Sequence, residues 1–247
     1  MKIFTDLNET LVNCKYKNLD AAIAEELNKE FPGIFRDAMN ELCEIASWED
    51  KVMKAFKVLG KYKVPKEKYI RAAYNLVEEV EVPEPVIKSF EKVYDVITGL
   101  YIFTGSSQDV AELIVKEKIK PLIPSYAELM VFGTVLQEDK GIYTGRIGKL
   151  YGFNERKEMV EELKPGDVSV GIADNSTTVN QGMVRSGNYG IFLSKKWDQI
   201  DRQGNIFFVR PKHLHVAIEQ ILNESLPVCK WLIKCDLYER EVSPRTQ

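Results

Sequence analysis

The chain has 247 residues, of which 45% are hydrophobic and 29% are charged, and its formal net charge is −3. This length can bury a full hydrophobic core, and the composition is that of an ordinary globular protein. The small negative charge gives no reason to expect nucleic acid or an anionic membrane as a partner, and no apolar run approaches membrane-spanning length.

Four scattered cysteines without a Cys-x-x-Cys pair, and only two histidines, indicate free thiols rather than a zinc site. Because the chain starts directly with a strand-like run, we expect no signal peptide and a cytoplasmic protein.

The predicted elements fall into three zones. Residues 1–13 predict a strand and a loop, and apolar residues at three and four spacing predict helices from about Asn18 to Val80. Two prolines in the segment Val82–Pro85 bar continuation of a helix and indicate a linker. Strands and helices then alternate: helix Val86–Tyr94, strand Gly99–Thr104, helix Gln108–Glu117, strands Glu128–Leu136 and Ile142–Ile147, helix Glu155–Leu163, strands Asp167–Ala173, Gly190–Leu193 and Asn205–Val209, and helix Pro211–Leu222.

This alternation predicts an α/β protein with a doubly wound parallel sheet. The helical zone is inserted between the first strand and the rest. We therefore expect a core of residues 1–13 and 86–222, a helical cap of residues 14–85, and a C-terminal tail of residues 223–247 without an assigned role.

Several polar residues follow the predicted strands of the core. Asp6 ends the first strand, Thr104-Gly105-Ser106 ends the second, and Asp174 follows Val168–Ala173. Ligands of a doubly wound sheet bind at the carboxyl ends of its strands. These residues are therefore candidates for one site.

The segment Asp6-Leu-Asn8-Glu-Thr10 after an apolar strand resembles the first motif of the haloacid dehalogenase (HAD) superfamily of phosphohydrolases, Asp-x-Asp-x-Thr. Thr104-Gly105, Lys157 and Asp174 are similar, in the same order, to its second, third and fourth motifs. The helical insert and the stretch Val131–Ile147 look like the phosphoserine phosphatase branch, and the resemblance covers about residues 1–222. It implies a HAD-like, Rossmann-type core with a cap.

The resemblance also implies a chemistry. Asp6 would attack phosphorus and form an aspartyl-phosphate. Mg²⁺ would be held by Asp6, Asp174 and the backbone carbonyl of Asn8. The other phosphoryl oxygens of a small phosphorylated substrate would contact Thr104, Gly105, Ser106 and Lys157.

The chain departs from the family pattern at three places. Asn8 replaces the aspartate that moves the proton, a contribution typically worth about 10²–10⁴-fold in rate. Thr178 stands where a second acid of the fourth motif is expected. An alternative alignment puts Ile172 at the acidic position of that motif and would leave it without an aspartate, but we prefer Asp174 because it lies at the end of the strand. Lys15 replaces a glutamate that meets the amino group of phosphoserine, which argues against that substrate.

Two hypotheses follow. The first is a Mg²⁺-dependent phosphatase or phosphotransferase with weakened acid–base catalysis, supported by Asp6, Thr104, Lys157 and Asp174. The second is a catalytically silent HAD-like protein that binds a phosphorylated ligand or a protein partner, supported by Asn8 and Thr178.

Overall fold

The computed structural model describes residues 1–43, 47–174 and 178–225. In this part of the chain eight strands form one sheet. They are β1 (Lys2–Asp6), β2 (Gly99–Ser107), β3 (Glu128–Asp139), β4 (Ile142–Lys149), β5 (Ser169–Asp174), β6 (Tyr189–Leu193), β7 (Asp201–Gln203) and β8 (Ile206–Val209).

The strand order is β4-β3-β2-β1-β5-β6-β8-β7, with β1 in the middle. All neighbouring pairs from β3 to β8 are parallel, whereas β4 and β7 run antiparallel at the two edges. The prediction of an α/β protein with a mainly parallel, doubly wound sheet is therefore confirmed.

The helices are α1 (Leu19–Leu27), α2 (Ile34–Cys43), α3 (Trp48–Lys61), α4 (Lys66–Leu76), α5 (Glu84–Val93), α6 (Gln108–Ile114), α7 (Phe153–Leu163), α8 (Thr178–Ser186) and α9 (214–225). The predicted helix Gln108–Glu117 is α-helical only to Ile114 and continues as a π-helical turn, Val115–Ile119. Helix α8 was not predicted. The predicted tail begins inside α9, and its residues 226–247 lie outside the described part of the chain.

The central strands are buried because apolar side chains cover both faces of the sheet. Ile3 and Leu100 belong to one apolar cluster, while Phe4 and Tyr101 belong to another and stack with their ring centroids 4.9 Å apart. Successive side chains of a strand point to opposite faces, so a continuous apolar run serves two cores. Because β1 pairs in parallel with both β2 and β5, the carboxyl ends of these three strands lie at the same edge of the sheet.

Helices α1–α4 lie between β1 and β2 in the chain and make up most of residues 14–85, which we call the helical cap. The β3–β4 hairpin reaches the cap, because the Lys66 amide donates to the Gly141 carbonyl at 2.9 Å and the Tyr143 amide donates to the Val64 carbonyl at 3.0 Å. The division into core, cap and tail stays a prediction.

None of the helices in the described ranges is both long enough and apolar enough to cross a membrane.

Candidate active site

A cavity of about 470 Å³ lies between the carboxyl ends of the central strands and the cap. Asp6, Asn8 and Asp174 line it from the sheet, together with Gly105 and Ser106. From the cap the cavity is lined by polar and aromatic side chains, among them Tyr16, Asp20, Trp48, Lys51 and Phe56. The strand ends that the sequence singled out thus share one cavity, as the parallel sheet requires.

Asp6 lies at the end of β1 with only 13% of its side chain exposed. Burial raises the pKa of its carboxyl group to about 7; Arg156 lowers this pKa and the charge of Asp174 raises it. Two carboxylates that repel each other in a buried site favour a bound cation.

Arg156 supplies the positive charge beside Asp6. Its side chain is fully buried, and Nη1 lies 3.5 Å from Oδ1 of Asp6. Nε donates to the carbonyl oxygen of Tyr151 at 2.9 Å, and the guanidinium carbon lies 5.1 Å from the centre of the Trp48 ring. In the described part of the chain, Nη2 of Arg156 has no hydrogen-bond partner.

Asn180 connects Arg156 with Asp174. Its Oδ1 accepts from Nη1 of Arg156 at 2.5 Å, and its Nδ2 donates to Oδ1 of Asp174 at 3.3 Å. The amide of Asp174 donates to Oγ1 of Thr10 at 3.1 Å. The two acids and the arginine are therefore held in one hydrogen-bonded arrangement.

Lys157 does not line this cavity. Its side chain is 49% exposed, its Nζ lies 3.8 Å from Oε1 of Glu161, and it borders a different surface hollow with Phe153. Consecutive residues of a helix differ by about 100° in direction, so Arg156 and Lys157 cannot both face Asp6. The structure thus places Arg156 where we expected Lys157.

The loop after β2 contributes Gly105 and Ser106 to the cavity wall. Thr104 is fully buried and is not among the lining residues; its Oγ1 accepts from the Ser106 amide at 3.2 Å. Nδ2 of Asn8 donates to Oγ of Ser106 at 3.1 Å. The predicted phosphate loop therefore faces the cavity through Ser106, with Thr104 behind it.

Three further residues are placed as follows. Thr178 is exposed at the start of α8 and does not line the cavity, and Ile172 is buried within β5. Lys15 is half-exposed and forms an ion pair with Glu25 at 2.7 Å, outside the cavity lining. Lys15 is therefore not placed against a substrate in this cavity, where it was expected to disfavour phosphoserine.

The donor set at this edge suits a small hard cation. Within the described ranges no cluster of three or more histidine, cysteine or acidic side chains is found. Mg²⁺ needs only one or two carboxylates, with water and substrate oxygens completing its shell. Asp6, Asp174 and the Asn8 carbonyl are compatible with that requirement.

Arg156, Asn180 and Asp20 were missed by the sequence reasoning. The neighbouring Lys157 fitted the motif better, although the apolar spacing of α7 could have shown that residue 156 shares the buried face with Val160. Nothing in the sequence singled out Asn180, which belongs to the unpredicted α8, or Asp20, whose position resembles that of any acid in a first helical turn.

Solved structures with the same fold include phosphoserine phosphatases. The one from T. onnurineus is 14% identical, with a TM-score of 0.56 over 88% of this chain and 93% of that chain. A phospho-aspartyl intermediate analogue of a phosphoserine phosphatase is 17% identical, with a TM-score of 0.54 over 77% of this chain and 85% of that chain. A putative beta-phosphoglucomutase from Thermotoga maritima is 12% identical, with a TM-score of 0.52 over 90% and 100% of the two chains.

No protein-family model and no curated protein matches the chain in sequence. The structural likeness confirms the HAD-like fold that the motif resemblance implied. At these identities it shows the fold alone.

Proposed function

We propose that this protein is a Mg²⁺-dependent phosphatase or phosphotransferase that acts on a small phosphorylated metabolite through an aspartyl-phosphate at Asp6. The observation that carries the proposal is the buried Arg156 beside Asp6, with one guanidinium nitrogen unpartnered within the described residues. A buried arginine with a free donor is suited to a phosphoryl oxygen, because the guanidinium group binds such oxygens in a fixed fork geometry.

Each residue then has a role. The Asp6 carboxylate attacks phosphorus in line with the leaving oxygen. The guanidinium group of Arg156 and the donors around Gly105 and Ser106 bind the equatorial oxygens, where negative charge collects. Asp6, Asp174 and the Asn8 carbonyl would hold Mg²⁺, which would neutralise part of that charge.

The assignment of Arg156 replaces the role that the sequence gave to Lys157. The ring of Trp48 covers the guanidinium group from the cap side, which keeps the charge away from bulk water. Electrostatic interactions are stronger in such a site than at the surface.

Asn8 weakens this chemistry, since a carboxamide can neither donate a proton to an alkoxide nor accept one from water. Acyl and aryl phosphates have stable leaving groups and should suffer less in the first step than alkyl phosphates. Hydrolysis of the phosphoenzyme should be slow for every substrate.

The test is Mg²⁺-dependent hydrolysis of acetyl phosphate and an aryl phosphate by the natural protein, Asp6→Asn and Asn8→Asp. We expect turnover by the natural protein, its loss in Asp6→Asn, and a gain of about tenfold or more in Asn8→Asp. Absence of turnover in all three proteins would overturn the proposal.

That last outcome would favour the second candidate, a silent protein that binds a phosphorylated ligand or a protein partner. The observation behind it is Asn8 itself, at the position where the family pattern has the proton-transferring acid. Binding of phosphate without turnover would distinguish it from the enzyme.

We also propose a cytoplasmic location, which suits the scattered cysteines of the sequence, and a small phosphorylated substrate as the partner rather than nucleic acid or a membrane.

A further inference from the structure

The cavity is lined by a strained aromatic residue that the motif comparison does not assign. Tyr16, in the first connection between core and cap, has a φ of 61° and a ψ of 4°. A bulky side chain rarely adopts this left-handed conformation, because it costs free energy that the surrounding structure must supply. On the basis of the proposed function, we propose that the organic part of the substrate is a flat, apolar ring and that Tyr16 is a residue that selects it.

Three contacts hold the side chain of Tyr16. Its hydroxyl donates to Oε1 of Glu25 at 2.7 Å, and its ring centroid lies 5.2 Å from that of Phe35 on α2. Nζ of Lys15 lies 5.2 Å from the centre of the Tyr16 ring and also pairs with Glu25. The Tyr16 side chain is nevertheless 38% exposed. These contacts fix the orientation of the ring and leave part of its surface accessible to a ligand.

Most of the cap residues that line the cavity are aromatic or aliphatic, among them Tyr16, Met39, Trp48, Val52, Ala55 and Phe56. Two of the polar ones are already engaged. Oδ1 of Asn18 accepts from the Ala21 amide at 3.0 Å. Oδ1 of Asp20 accepts from the Tyr69 hydroxyl at 2.8 Å. Lys51 is partly exposed, so its ammonium group can stay hydrated. The organic part of a substrate therefore meets mainly rings and aliphatic chains.

An aromatic group suits this wall for physical reasons. The cavity of about 470 Å³ has the size of a small-molecule site, so a ring fits beside the phosphoryl group. Burial of a ring removes apolar surface from water, and an offset or edge-on contact with the Tyr16 ring adds to that gain. A zwitterionic group would lose its water without finding enough partners on the same wall.

The first experiment measures binding of analogues that cannot be hydrolysed. The affinities of phenylphosphonate and methylphosphonate are compared in the presence of Mg²⁺ by isothermal titration calorimetry. We expect phenylphosphonate to bind about tenfold more tightly or better. Tyr16→Asn removes the ring without added strain, because asparagine accepts the left-handed conformation, and should reduce this preference by about fivefold. Tyr16→Phe keeps the ring and should keep the preference.

Tyr74→Asn is the matched control. Tyr74 lies on α4 with 56% of its surface exposed and does not line the cavity, so its loss should leave the preference unchanged. Equal affinities of the natural protein for the two phosphonates would overturn the inference. An unchanged preference in Tyr16→Asn would overturn the role of Tyr16.

Turnover separates this inference from the proposed function. Acetyl phosphate and benzoyl phosphate both release a carboxylate, so the lack of an acid at Asn8 affects them alike, and KM should be about tenfold lower for benzoyl phosphate. Absence of turnover of both, with the phosphonate preference retained, would overturn the proposed function and leave the selection of a ring in place. Turnover of both with equal KM and no phosphonate preference would overturn this inference alone.

Discussion

At the scale of single residues, two neighbours on α7 carry the same charge in opposite surroundings. Arg156 is fully buried beside Asp6, whereas the side chain of Lys157 is half-exposed beside Glu161. The motif pattern selected the lysine because it records spacing along the chain and not the direction of a side chain around a helix.

This pair allows a matched test. Arg156→Gln should lower kcat/KM for an aryl phosphate by about 10²-fold or more, because a buried donor to the phosphoryl group is lost. Lys157→Gln changes the same charge one residue later and should leave kcat/KM nearly unchanged. Equal losses in both variants, measured by steady-state kinetics on folded proteins, would contradict the assignment of Arg156.

The raised pKa of Asp6 predicts how stability depends on pH when Mg²⁺ is absent. Between its ordinary value near 4 and about 7, the unfolded chain has this carboxyl ionised while the folded protein keeps it protonated. The folded state binds more protons, so the contribution of Asp6 to stability falls as pH rises through this window.

Asp6→Asn should therefore stabilise the metal-free protein at pH 8 by about 1–3 kcal/mol, and the gain should shrink as the pH falls toward 4. Chemical denaturation in the presence of a chelator measures it. The control is Asp95→Asn, which removes an exposed carboxyl group that does not line the cavity. A destabilised Asp6→Asn protein at pH 8 would show that the Arg156 contact outweighs the cost of burial.

At the scale of elements, the β3–β4 hairpin forms one edge of the sheet and also packs against the cap. Lys140 and Gly141 form its two-residue turn with φ of 50° and 77°, the left-handed conformation that suits a tight hairpin. The hairpin then packs on α3, where a Cβ atom at Gly60 would lie 2.3 Å from the carbonyl oxygen of Thr144.

Gly60→Ala should therefore destabilise the protein by about 1–3 kcal/mol through overpacking. The loss should appear although alanine is favoured over glycine inside a helix by roughly 1 kcal/mol. Gly148→Ala on β4 is the control, because its Cβ would come no closer than 3.5 Å to any neighbour. Stability of both variants can be compared by denaturant unfolding, and a neutral Gly60→Ala would show that the hairpin can move away at little cost.

The sequence predicted most elements because their apolar runs are long and distinct. Strand β2 contains a continuous apolar segment and β1 a shorter apolar run, both strands end in polar residues, and these patterns appear without any tertiary information. Helix α8 has its buried residues Val179, Met183 and Val184 mixed with Asn180 and Gly182, so no clear amphipathic pattern identified it. Because α8 was not predicted, Asn180 was not among the predicted site residues.

At the scale of the whole molecule, the cap is joined to the core by more than its two chain connections. In the sequence, only the segments near residues 12–18 and 81–85 connect the predicted cap to the core. The hairpin adds backbone hydrogen bonds to Val64 in the loop before α4 and to Lys66 at the start of α4, so cap and hairpin should move together. Their contact could not be predicted, because it joins residues almost eighty positions apart.

The cap also approaches the loop after β2 closely at the site. A Cβ atom at Gly105 would lie 2.9 Å from Cζ2 of Trp48, so glycine lets the indole ring lie on the loop after β2. Gly105→Ala should push α3 outward and raise KM severalfold. In a background with Trp197→Phe and Trp231→Phe, the Trp48 emission should shift to longer wavelength as the ring meets water. Unchanged emission in Gly105→Ala would show that the position of Trp48 does not depend on this close approach.

The central claim is that Asp6 is phosphorylated in a site built by Arg156 and Asp174. Because Asn8 should slow hydrolysis, the phosphoenzyme should accumulate in the natural protein. The measurement is mass spectrometry of the peptides after brief incubation with acetyl phosphate and Mg²⁺, followed by acid quenching. We predict one added phosphoryl group, on the peptide that contains Asp6, which is absent in Asp6→Asn and in the presence of a chelator. A phosphoryl group on another residue, or none at all, would contradict the account.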